Sequence, residues 1–406
     1  MKSDTLGCHV TAKPTSSACN NDCHYCFYLD KEQLYQDKSR MNKETLETYI
    51  KQYIDANSGD SVHFLWQGGE PLLMGLDFFE QAIALSQQYS RGKQLTHSIQ
   101  TNGILINHKW AKFFKANDIL VGISIDGPEK QHNKYRLSRS GLGTHSRVVQ
   151  GLQCLQRHHV RYNILTVVGE HNVDDPIEVY QHLLSLGAKQ IQFIPLVERA
   201  QTNNLYKIEL NSPAPEQIHT TSWSVDPIRF GQFLTAIFRQ WIMNDVGRVF
   251  IQLFETTFAA WNGYPTGVCA TSPTCGHNLV IEANGDVFQC DHYVYPEHKL
   301  GNVHTSTLDQ INRSERVEQF GRNKYEKLSE QCGRCVYRFA CHGGCPKHRF
   351  AINLDGEQHN YLCPAYEMFF QYAHPYLDSM KLLLDNGTPA ETIMEILAQA
   401  QQKPRR

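Results

Sequence analysis

Along its first half, the chain alternates short runs of β-branched and aromatic residues with longer amphipathic segments. The short runs predict six strands, near residues 6–13, 61–67, 95–101, 119–126, 160–168 and 189–197. The intervening segments have apolar residues at three- and four-residue spacing, and they predict helices near 43–56, 77–90, 107–117, 144–158 and 175–186. Such alternation indicates right-handed βαβ units around a parallel sheet. Six units are too few for a closed eight-stranded barrel, so they favour an α/β fold with an open, partial (β/α)6 barrel and reactive groups at the carboxyl ends of its strands.

The pattern changes after residue 200. Residues 200–226 are polar and contain two prolines, so they indicate a connection. Periodic apolar segments near 227–245, 249–261, 364–384 and 389–402 predict further helices. Between about 266 and 365, cysteine, glycine and turn residues dominate, and bound metal clusters are expected to stabilise this region. We therefore predict four segments: a barrel at 1–226, a helical connection at 227–265, a cysteine-rich domain at 266–365 and a C-terminal helical segment at 366–406.

Charge and hydropathy exclude some classes of function. The 406 residues have a formal net charge of −2 with acids and bases interspersed, so no nucleic-acid partner is expected. The N-terminus does not resemble a signal peptide, and no run of about 18 apolar residues is present, so we expect a cytoplasmic protein without a membrane span. In a reducing cytosol, clustered cysteines are more often metal ligands than disulfides.

Eleven of the 13 cysteines fall into two spaced sets. The first set, in the run CNNDCHYC, consists of Cys19, Cys23 and Cys26. The second set consists of Cys269, Cys275, Cys290, Cys332, Cys335, Cys341, Cys345 and Cys363. Iron–sulfur clusters are usually held by four thiolates. Eight thiolates suit two fully ligated clusters that carry electrons, whereas three leave one iron open for a substrate or cofactor.

The run CNNDCHYC resembles the C-x3-C-x2-C motif of radical S-adenosylmethionine (SAM) enzymes, and Tyr25 before the last cysteine matches the aromatic residue found there. The resemblance implies that the amino and carboxylate groups of SAM chelate the open iron. One electron from this [4Fe–4S] cluster then cleaves SAM to a 5′-deoxyadenosyl radical. The alternative is a zinc knuckle whose fourth ligand is His24.

A second motif, QGGEP, ends the second predicted strand. Its Gly68, Gly69 and Glu70 are similar to the GGEP motif of the same superfamily, which meets the SAM amino group. Glycines allow a close approach of the backbone, and a carboxylate or carbonyl can accept hydrogen bonds from an ammonium. The alternative is an ordinary turn in which Pro71 opens the next helix.

The resemblance assigns SAM contacts to three more positions. Ser124 is expected near the ribose or carboxylate of SAM, Arg136 at the carboxylate and Leu196 near the adenine. Arg139 and Arg147 are rivals of Arg136. The alternatives are a strand-end turn for Ser124, a solvated side chain for Arg136 and a core position for Leu196.

The second cysteine set is similar to the SPASM domain, which carries two auxiliary [4Fe–4S] clusters. The spacings C-x9-G-x4-C and C-x2-C-x5-C-x3-C both match, and Asn284-Gly285 is a signal for a tight turn. By resemblance, the first auxiliary cluster is held by Cys269, Cys275, Cys290 and Cys345. The second is held by Cys332, Cys335, Cys341 and Cys363. Two structural zinc sites are the alternative, although the region contains only one C-x2-C pair.

Among radical SAM enzymes, the chain resembles the anaerobic sulfatase-maturating enzymes most. The runs AKPTSSACNNDCHYCFYL, SIQTNG and DGPEKQHNKYR and the pair Cys290-Asp291 carry this resemblance. It implies oxidation of a cysteine or serine in a target sulfatase to Cα-formylglycine. The implied partners are an unfolded or nascent sulfatase polypeptide and an electron donor of the flavodoxin or ferredoxin type.

The implied reaction gives roles to three more residues. The 5′-deoxyadenosyl radical takes a hydrogen atom from the target Cβ, Asp291 accepts the thiol or hydroxyl proton as general base, and an auxiliary cluster accepts the remaining electron. Tyr28 and Gln67 are expected to contact the peptide. For Asp291, the alternative is a solvated carboxylate that orients its loop. The alternative functions are a radical SAM enzyme that crosslinks or epimerises a ribosomal peptide, and a non-catalytic binding module stabilised by zinc.

Overall fold

The computed structural model describes residues 7–28, 40–200, 219–275 and 277–402, without the side chains of residues 200, 219 and 402. The strands are β1 His9–Lys13, β2 Ser61–Trp66, β3 Gln94–Thr101, β4 Leu120–Ser124, β5 Tyr162–Val168, β6 Gln190–Pro195, β7 Arg199–Ala200, β8 His219–Thr220, β9 Phe250–Ile251, β10 Asn278–Glu282, β11 Asp286–Phe288, β12 Lys299–Asn302, β13 Ala351–Ile352 and β14 Gln358–His359. The α-helices are α1 Lys43–Ala56, α2 Leu76–Gln88, α3 His108–Ala116, α4 Glu129–Tyr135, α5 His145–Arg157, α6 Pro176–Ser185, α7 Pro227–Asn244, α8 Gln252–Trp261, α9 Leu308–Asn312, α10 Glu315–Glu326, α11 Glu330–Arg334, α12 Arg338–Cys341, α13 Cys363–Asp385 and α14 Ile393–Gln402.

The alternation predicted for the first half is confirmed, because all six strands and the five helices between them are present. Element ends differ by a few residues, and residue 6 of the first predicted strand lies outside the described residues. The same is true of most of the predicted connection at 200–226. The sequence pattern missed α10, a polar helix of 12 residues within the cysteine-rich region.

The chain forms two compact units. The first comprises residues 1–125, 132–163 and 275–323, and the second comprises 126–131, 164–274 and 324–406. These units reflect spatial compactness, whereas the four predicted segments reflect sequence character, so the segment boundaries stay predictions.

In the first unit, the strands of the main sheet follow the order β12-β11-β10-β1-β2-β3-β4. The strands from β10 to β4 pair in parallel, and β10, β11 and β12 pair antiparallel. The predicted tight turn at Asn284-Gly285 joins β10 to β11, with Gly285 at φ +86°. Since β10 aligns with β1 in register, Lys13 lies beside Glu282 where both strands end.

Amphipathic patterning explains the core of the first unit. The Asn42 side chain accepts a hydrogen bond from the Thr45 amide at 2.8 Å and caps α1. Buried Tyr49 and Tyr53 of α1 pack against Phe64 of β2. This arrangement fixes the carboxyl ends of β1, β2 and β3 as neighbouring positions of a rigid sheet.

In the second unit, β5 from Ile164 onwards pairs in parallel with β6, which pairs in parallel with β9. Helix α7 begins at Pro227 after the Asp226 cap, and it packs closely on α13 where Gly231 faces Ala365. A cluster of Phe238, Phe254 and Phe369 joins α7, α8 and α13. Among the described residues, no helix combines the length and apolar character needed to cross a bilayer.

Candidate active site

The three cysteines of the CNNDCHYC run lie on the loop that follows β1 in the first unit. The Cys23 side chain is buried, and those of Cys19 and Cys26 are half-buried. The Cys26 amide donates to the Cys23 carbonyl oxygen at 2.9 Å, which closes a tight turn at the end of the motif. The Asn21 amide donates to Cys19 Sγ at 3.4 Å. A single short loop therefore presents all three thiols.

These thiols have the chemistry of iron ligands. Burial raises the pKa of the Cys19 thiol to about 11, and the nearby charges of Glu70 and Cys26 act in the same direction. Iron binds the thiolate, and a bound cation offsets the cost of burying its negative charge. Three thiols on one loop therefore fit a [4Fe–4S] cluster with one open iron.

The glycines of the QGGEP motif lie against the backbone of the cysteine loop. The Gly69 amide donates to the Ser16 carbonyl oxygen at 2.8 Å, and the Glu70 amide donates to the Ala18 carbonyl oxygen at 2.9 Å. A Cβ atom at Gly69 would lie 2.2 Å from the Ala18 carbonyl oxygen, so only glycine fits. Gly68 has φ +133°, which also favours glycine. Both loops are thereby held in one fixed arrangement.

The Glu70 carboxylate is fully buried and joins the ends of β2 and β3. It accepts hydrogen bonds from the Leu72 amide at 3.0 Å, the Thr101 hydroxyl at 2.8 Å and the Asn102 amide at 2.8 Å. Burial raises the pKa of Glu70 to about 7, although these hydrogen bonds oppose the rise. The side chain therefore has a structural task in addition to the SAM contact that the motif predicts.

Asn102 is a site residue that sequence reasoning did not single out. Its side-chain amide donates to Asn20 Oδ1 at 2.7 Å and lies 3.7 Å from Cys19 Sγ. Its backbone amide holds Glu70. Its position directly after a strand, in the run SIQTNG, could have indicated a site residue, because the carboxyl ends of the strands were expected to carry the reactive groups. Asn102 thus connects the cysteine loop with the glutamate of the second motif.

Two of the three arginines considered for the SAM carboxylate lie at the cysteine loop. Arg136 is buried, and its guanidinium lies 5.5 Å from the ring centroid of buried Tyr25. Arg139 donates from Nε to the Cys19 carbonyl oxygen at 2.7 Å. Arg147 is exposed on α5. Arg136 and Arg139 therefore both accompany the cysteine loop.

Three other predicted residues follow or end strands. Ser124 is the last residue of β4, and its hydroxyl accepts from the Gln100 side chain at 3.1 Å. Gln67 follows β2 and is half-buried. Its backbone amide donates to the Ala12 carbonyl oxygen at 2.9 Å. Leu196 follows β6 in the second unit and is buried. Ser124 and Gln67 lie in the first unit, as the cysteine loop does.

Asp291 lies directly after Cys290, in a short 3-10 turn of the first unit. Its carboxylate forms an ion pair with Lys13, which is only 1% exposed, whereas Asp291 is 28% exposed. The Lys13 ammonium also lies 3.9 Å from the centroid of the Tyr28 ring. The Tyr28 hydroxyl donates to the Glu282 carboxylate. The predicted base and one predicted peptide contact therefore share a buried lysine.

The second unit brings together four cysteines of the second set. Burial and, to a smaller extent, the charges of Cys341, Cys332 and Cys335 together raise the pKa of Cys363 to about 12. Burial, assisted by the charges of Cys332 and Cys335, raises the pKa of Cys341 to about 11. Within the described parts of the chain, no three His, Cys, Asp or Glu side chains converge on a single metal ion. The four neighbouring thiols supply the donor set that a [4Fe–4S] cluster takes.

The other four cysteines of the second set are divided between the units. Cys269 and Cys345 belong to the second unit, and Cys275 and Cys290 belong to the first. Burial raises the pKa of Cys345, and the charge of Cys269 adds to this effect, so these two thiols are neighbours. All four thiols are free of disulfides.

A buried lysine organises the loops that bear these cysteines in the second unit. Lys324 is 1% exposed, and its ammonium donates to the carbonyl oxygens of Cys269, Ala270 and Ser272. The three donors of an ammonium match these three acceptors. Arg349 donates to the Lys324 carbonyl oxygen at 2.6 Å and to carbonyl oxygens of the loop after α12. The two cations therefore tie together loops that carry predicted ligands.

Family comparisons agree with this arrangement. Residues 14–183 match the Radical SAM superfamily, and residues 273–336 match SPASM, an iron–sulfur cluster-binding domain. A serine-type anaerobic sulfatase-maturating enzyme from Bacteroides thetaiotaomicron is 41% identical over 392 residues, which cover 96% of this chain and 95% of that protein. A cysteine-type anaerobic sulfatase-maturating enzyme from Clostridium perfringens is 31% identical over 370 residues, which cover 90% of this chain and 96% of that protein.

Solved structures give the same relationship. The structure of native anSMEcpe with bound AdoMet and Cp18Cys peptide has a TM-score of 0.80 and 30% identity, covering 91% of this chain and 98% of that chain. Streptococcus suis SuiB bound to S-adenosylmethionine has a TM-score of 0.58 at 13% identity, which shows a shared fold alone. The predicted fold class, the use of SAM and the presence of [4Fe–4S] clusters are confirmed. The chain is a radical SAM enzyme with a SPASM domain and belongs to the anaerobic sulfatase-maturating enzyme family.

Proposed function

We propose that the protein oxidises a cysteine or serine side chain of a target sulfatase to Cα-formylglycine. The observation that carries this proposal is the 41% identity to a serine-type sulfatase-maturating enzyme along 96% of the chain. Cysteine-type relatives match nearly as much of the chain, so both side chains are candidate targets. The target polypeptide is expected to be unfolded or nascent, because the modified side chain must reach a buried site.

The cysteine loop would bind the [4Fe–4S] cluster, and the QGGEP segment would bind SAM beside it. When bound, SAM and its [4Fe–4S] cluster supply a 5′-deoxyadenosyl radical that removes one hydrogen atom from the target Cβ. Cys19, Cys23 and Cys26 would ligate the cluster through their shared loop. The fixed contact between this loop and Gly69 supports that assignment, because the open iron and the SAM amino group must lie side by side.

The other SAM contacts are assigned to residues at or after the carboxyl ends of the strands and to an arginine beside the cysteine loop. The backbone and carboxylate at Gly68 to Glu70 would accept hydrogen bonds from the SAM amino group. Arg136 would pair with the SAM carboxylate, and Tyr25 limits the places that its guanidinium can occupy. Ser124 would contact the ribose or carboxylate region. Leu196 would pack near the adenine.

Asp291 would accept the proton of the target thiol or hydroxyl. Its carboxylate keeps 28% of its surface exposed while its partner Lys13 is buried, which supports access of a substrate to Asp291. Tyr28 and Gln67 would contact the peptide, although the Tyr28 hydroxyl already donates to Glu282. A Cβ–H bond and an O–H or S–H bond are broken, and one electron leaves the substrate carbon. For a cysteine target the product of these steps is a thioaldehyde, and water then replaces its sulfur, which leaves as hydrogen sulfide.

The second cysteine set would take up that electron. We assign the first auxiliary cluster to Cys269, Cys275, Cys290 and Cys345. We assign the second to Cys332, Cys335, Cys341 and Cys363, whose thiols influence one another in the second unit. A flavodoxin or ferredoxin would deliver the electron that starts each turnover, and a cytoplasmic location stays a prediction.

Crosslinking or epimerisation of a ribosomal peptide is the second candidate within the superfamily. SuiB shares the fold at 13% identity, which carries no argument about its reaction here. The presence of a carboxylate, Asp291, directly after Cys290 favours an oxidation in which a base removes a proton. Membership of the radical SAM superfamily favours either reaction over a zinc-stabilised binding module.

The proposal is tested with the reduced protein, SAM and peptides that contain Cys or Ser in a CxPxR context. Aldehyde formation lowers the peptide mass by about 18 Da for Cys and about 2 Da for Ser, as the loss of two hydrogens and, for Cys, exchange of sulfur for oxygen require. We expect Asp291→Asn to lower the rate of aldehyde formation by about 10²–10⁴-fold, the usual contribution of a general base.

The matched control is Asp309→Asn. Asp309 is exposed, pairs with Arg313 at 2.7 Å and has no assigned role in the proposed reaction, so this variant should retain the full rate. A crosslinked or mass-neutral product from the parent protein would contradict the proposed reaction. Full aldehyde formation by Asp291→Asn would contradict the role of Asp291 alone.

A further inference from the structure

Lys13 is an unusual residue for the end of a strand because it is 1% exposed and charged. Lysine is almost never fully buried unless its ammonium is paired. In the first unit, the register of β1 and β10 sets Lys13 beside Glu282, and the turn after Cys290 brings Asp291 to its ammonium. The lysine therefore lies among groups that the proposed reaction uses.

The surroundings of Lys13 leave its ammonium little freedom. The ring of Tyr28 lies under it with the centroid at 3.9 Å, a distance typical of a cation–π contact. That ring is held in turn by the hydrogen bond from the Tyr28 hydroxyl to Glu282, and both side chains are buried. A fixed cation next to a partly exposed carboxylate restricts the orientations of Asp291.

A purely structural ion pair is the simpler explanation, but it does not account for the asymmetry of the pair. A buried ion pair adds little net stability compared with apolar residues of similar volume. Here only the cation is enclosed, and the carboxylate keeps 28% of its surface exposed. Such an arrangement suits a base that must meet a substrate in a defined direction.

We propose that Lys13 is a positioning residue that holds the Asp291 carboxylate in the orientation in which it receives the substrate proton. The proposal rests on the proposed function of Asp291 as base. Lys13 itself transfers no proton. The proton passes from the substrate thiol or hydroxyl to an Asp291 carboxylate oxygen, and the electron leaves by the route given above.

The test compares Lys13→Met, Asp291→Asn and the double variant in the full chain with its clusters. We expect Lys13→Met to lower the kcat of aldehyde formation about 10²-fold while the KM for the peptide changes less than about threefold, since an interaction with the base, not peptide binding, is lost. Hydrogen transfer from a Cβ-deuterated peptide to 5′-deoxyadenosine should persist, so cleavage of SAM becomes uncoupled from product formation.

The double variant separates positioning from a general structural role. If Lys13 acts through Asp291, adding Lys13→Met to Asp291→Asn should lower the residual rate by less than about threefold, because interacting residues are non-additive. The double variant also removes both charges together, so it should fold even where the single variant leaves a buried charge unpaired. Lys13→Arg keeps the charge and should recover a substantial part of the lost rate.

The control is Lys51→Met. Lys51 is exposed on α1, and its ammonium lies 6.0 Å from the centroid of the Tyr89 ring. Its loss should change neither kcat nor the amount of aldehyde formed per SAM cleaved. A normal kcat for Lys13→Met, or the same loss in both backgrounds, would overturn the role of Lys13. If Lys13→Met does not fold, Lys13→Gln is used for the same comparison. Normal activity of Asp291→Asn would instead overturn the proposed base, so the two failures are distinguishable.

Discussion

At the scale of the residue, each polar group of the candidate site is held by a particular neighbour. Glu70 accepts three hydrogen bonds although it is fully buried, and Asn102 reaches both Glu70 and Cys19. Gly69 has no room for a side chain because the carbonyl of Ala18 lies against it. Steric contact and hydrogen bonding therefore both fix the cysteine loop relative to the ends of β2 and β3.

Replacing Gly69 by alanine should separate the cysteine loop from the QGGEP segment. The added Cβ would lie 2.2 Å from the Ala18 carbonyl oxygen, so the backbone must shift. We expect the iron content of anaerobically purified protein to fall by about four atoms per chain, the size of one cubane cluster, and SAM cleavage to be lost. Iron analysis and measurement of 5′-deoxyadenosine check this prediction.

Gly59→Ala is the matched control, because no atom lies within 4 Å of a Cβ built at Gly59. This variant should bind iron and cleave SAM as the parent protein does. Retention of all iron and of SAM cleavage by Gly69→Ala would show that the close approach of the two loops is unimportant for the cluster.

At the scale of the element, strands and loops bring together residues that are far apart in sequence. The parallel pairing of β10 with β1 carries Glu282 and then Asp291 to the end of the first strand. In the second unit, Lys324 fastens the Cys269 turn to the end of α10. The stability of these elements can be tested separately from catalysis.

The stack of β2 and β3 side chains makes the stability of the protein depend on pH. His97 lies 4.8 Å from the Phe64 ring, and burial lowers the pKa of His97 to about 4. Between about pH 6.5 and pH 4, the unfolded chain binds a proton at His97 that the folded chain does not, so the free energy of unfolding falls as the pH is lowered. The expected loss from this residue is about 2 kcal/mol between pH 7 and pH 5.

The variant His97→Gln should lack this contribution. Its free energy of unfolding, measured by denaturant titration at pH 7, 6 and 5, should fall by about 2 kcal/mol less than that of the parent over the same range. Parallel pH dependences of the two proteins would show that His97 is protonated equally in the folded and unfolded chains.

The variant Lys324→Met should weaken the loops that carry auxiliary-cluster ligands. It removes the ammonium that donates to three carbonyl oxygens of the Cys269 turn, and each hydrogen bond to a charged group contributes about 1.5–3 kcal/mol. We expect the iron content to fall from about twelve toward about eight atoms per chain, as for the loss of one four-iron cluster.

Lys381→Met serves as the control for Lys324, since Lys381 is partly exposed on α13 and pairs with Asp385. It should leave the iron content unchanged. An unchanged iron content in Lys324→Met would mean that the Cys269 turn keeps its shape without the buried ammonium.

At the scale of the whole molecule, two cysteine sets and a family relationship over nearly the entire chain define the protein. Much of this could be predicted from sequence, because strand and helix periodicity and the cysteine spacings are local patterns. The ion pair of Lys13 with Asp291 could not, since it depends on the pairing of β1 with β10 across more than half of the chain. Asn102 and α10 were missed for another reason: a lone polar residue and a polar helix leave no apolar pattern to detect.

The central claim is that the three-cysteine site starts a radical oxidation of a target side chain. The most direct measurement uses a peptide deuterated at Cβ of its target Cys or Ser, incubated anaerobically with the reduced protein and SAM. We expect deuterium to appear in 5′-deoxyadenosine in step with aldehyde formation in the peptide. Aldehyde formed without deuterium in 5′-deoxyadenosine, or SAM cleaved without any deuterium transfer, would contradict it.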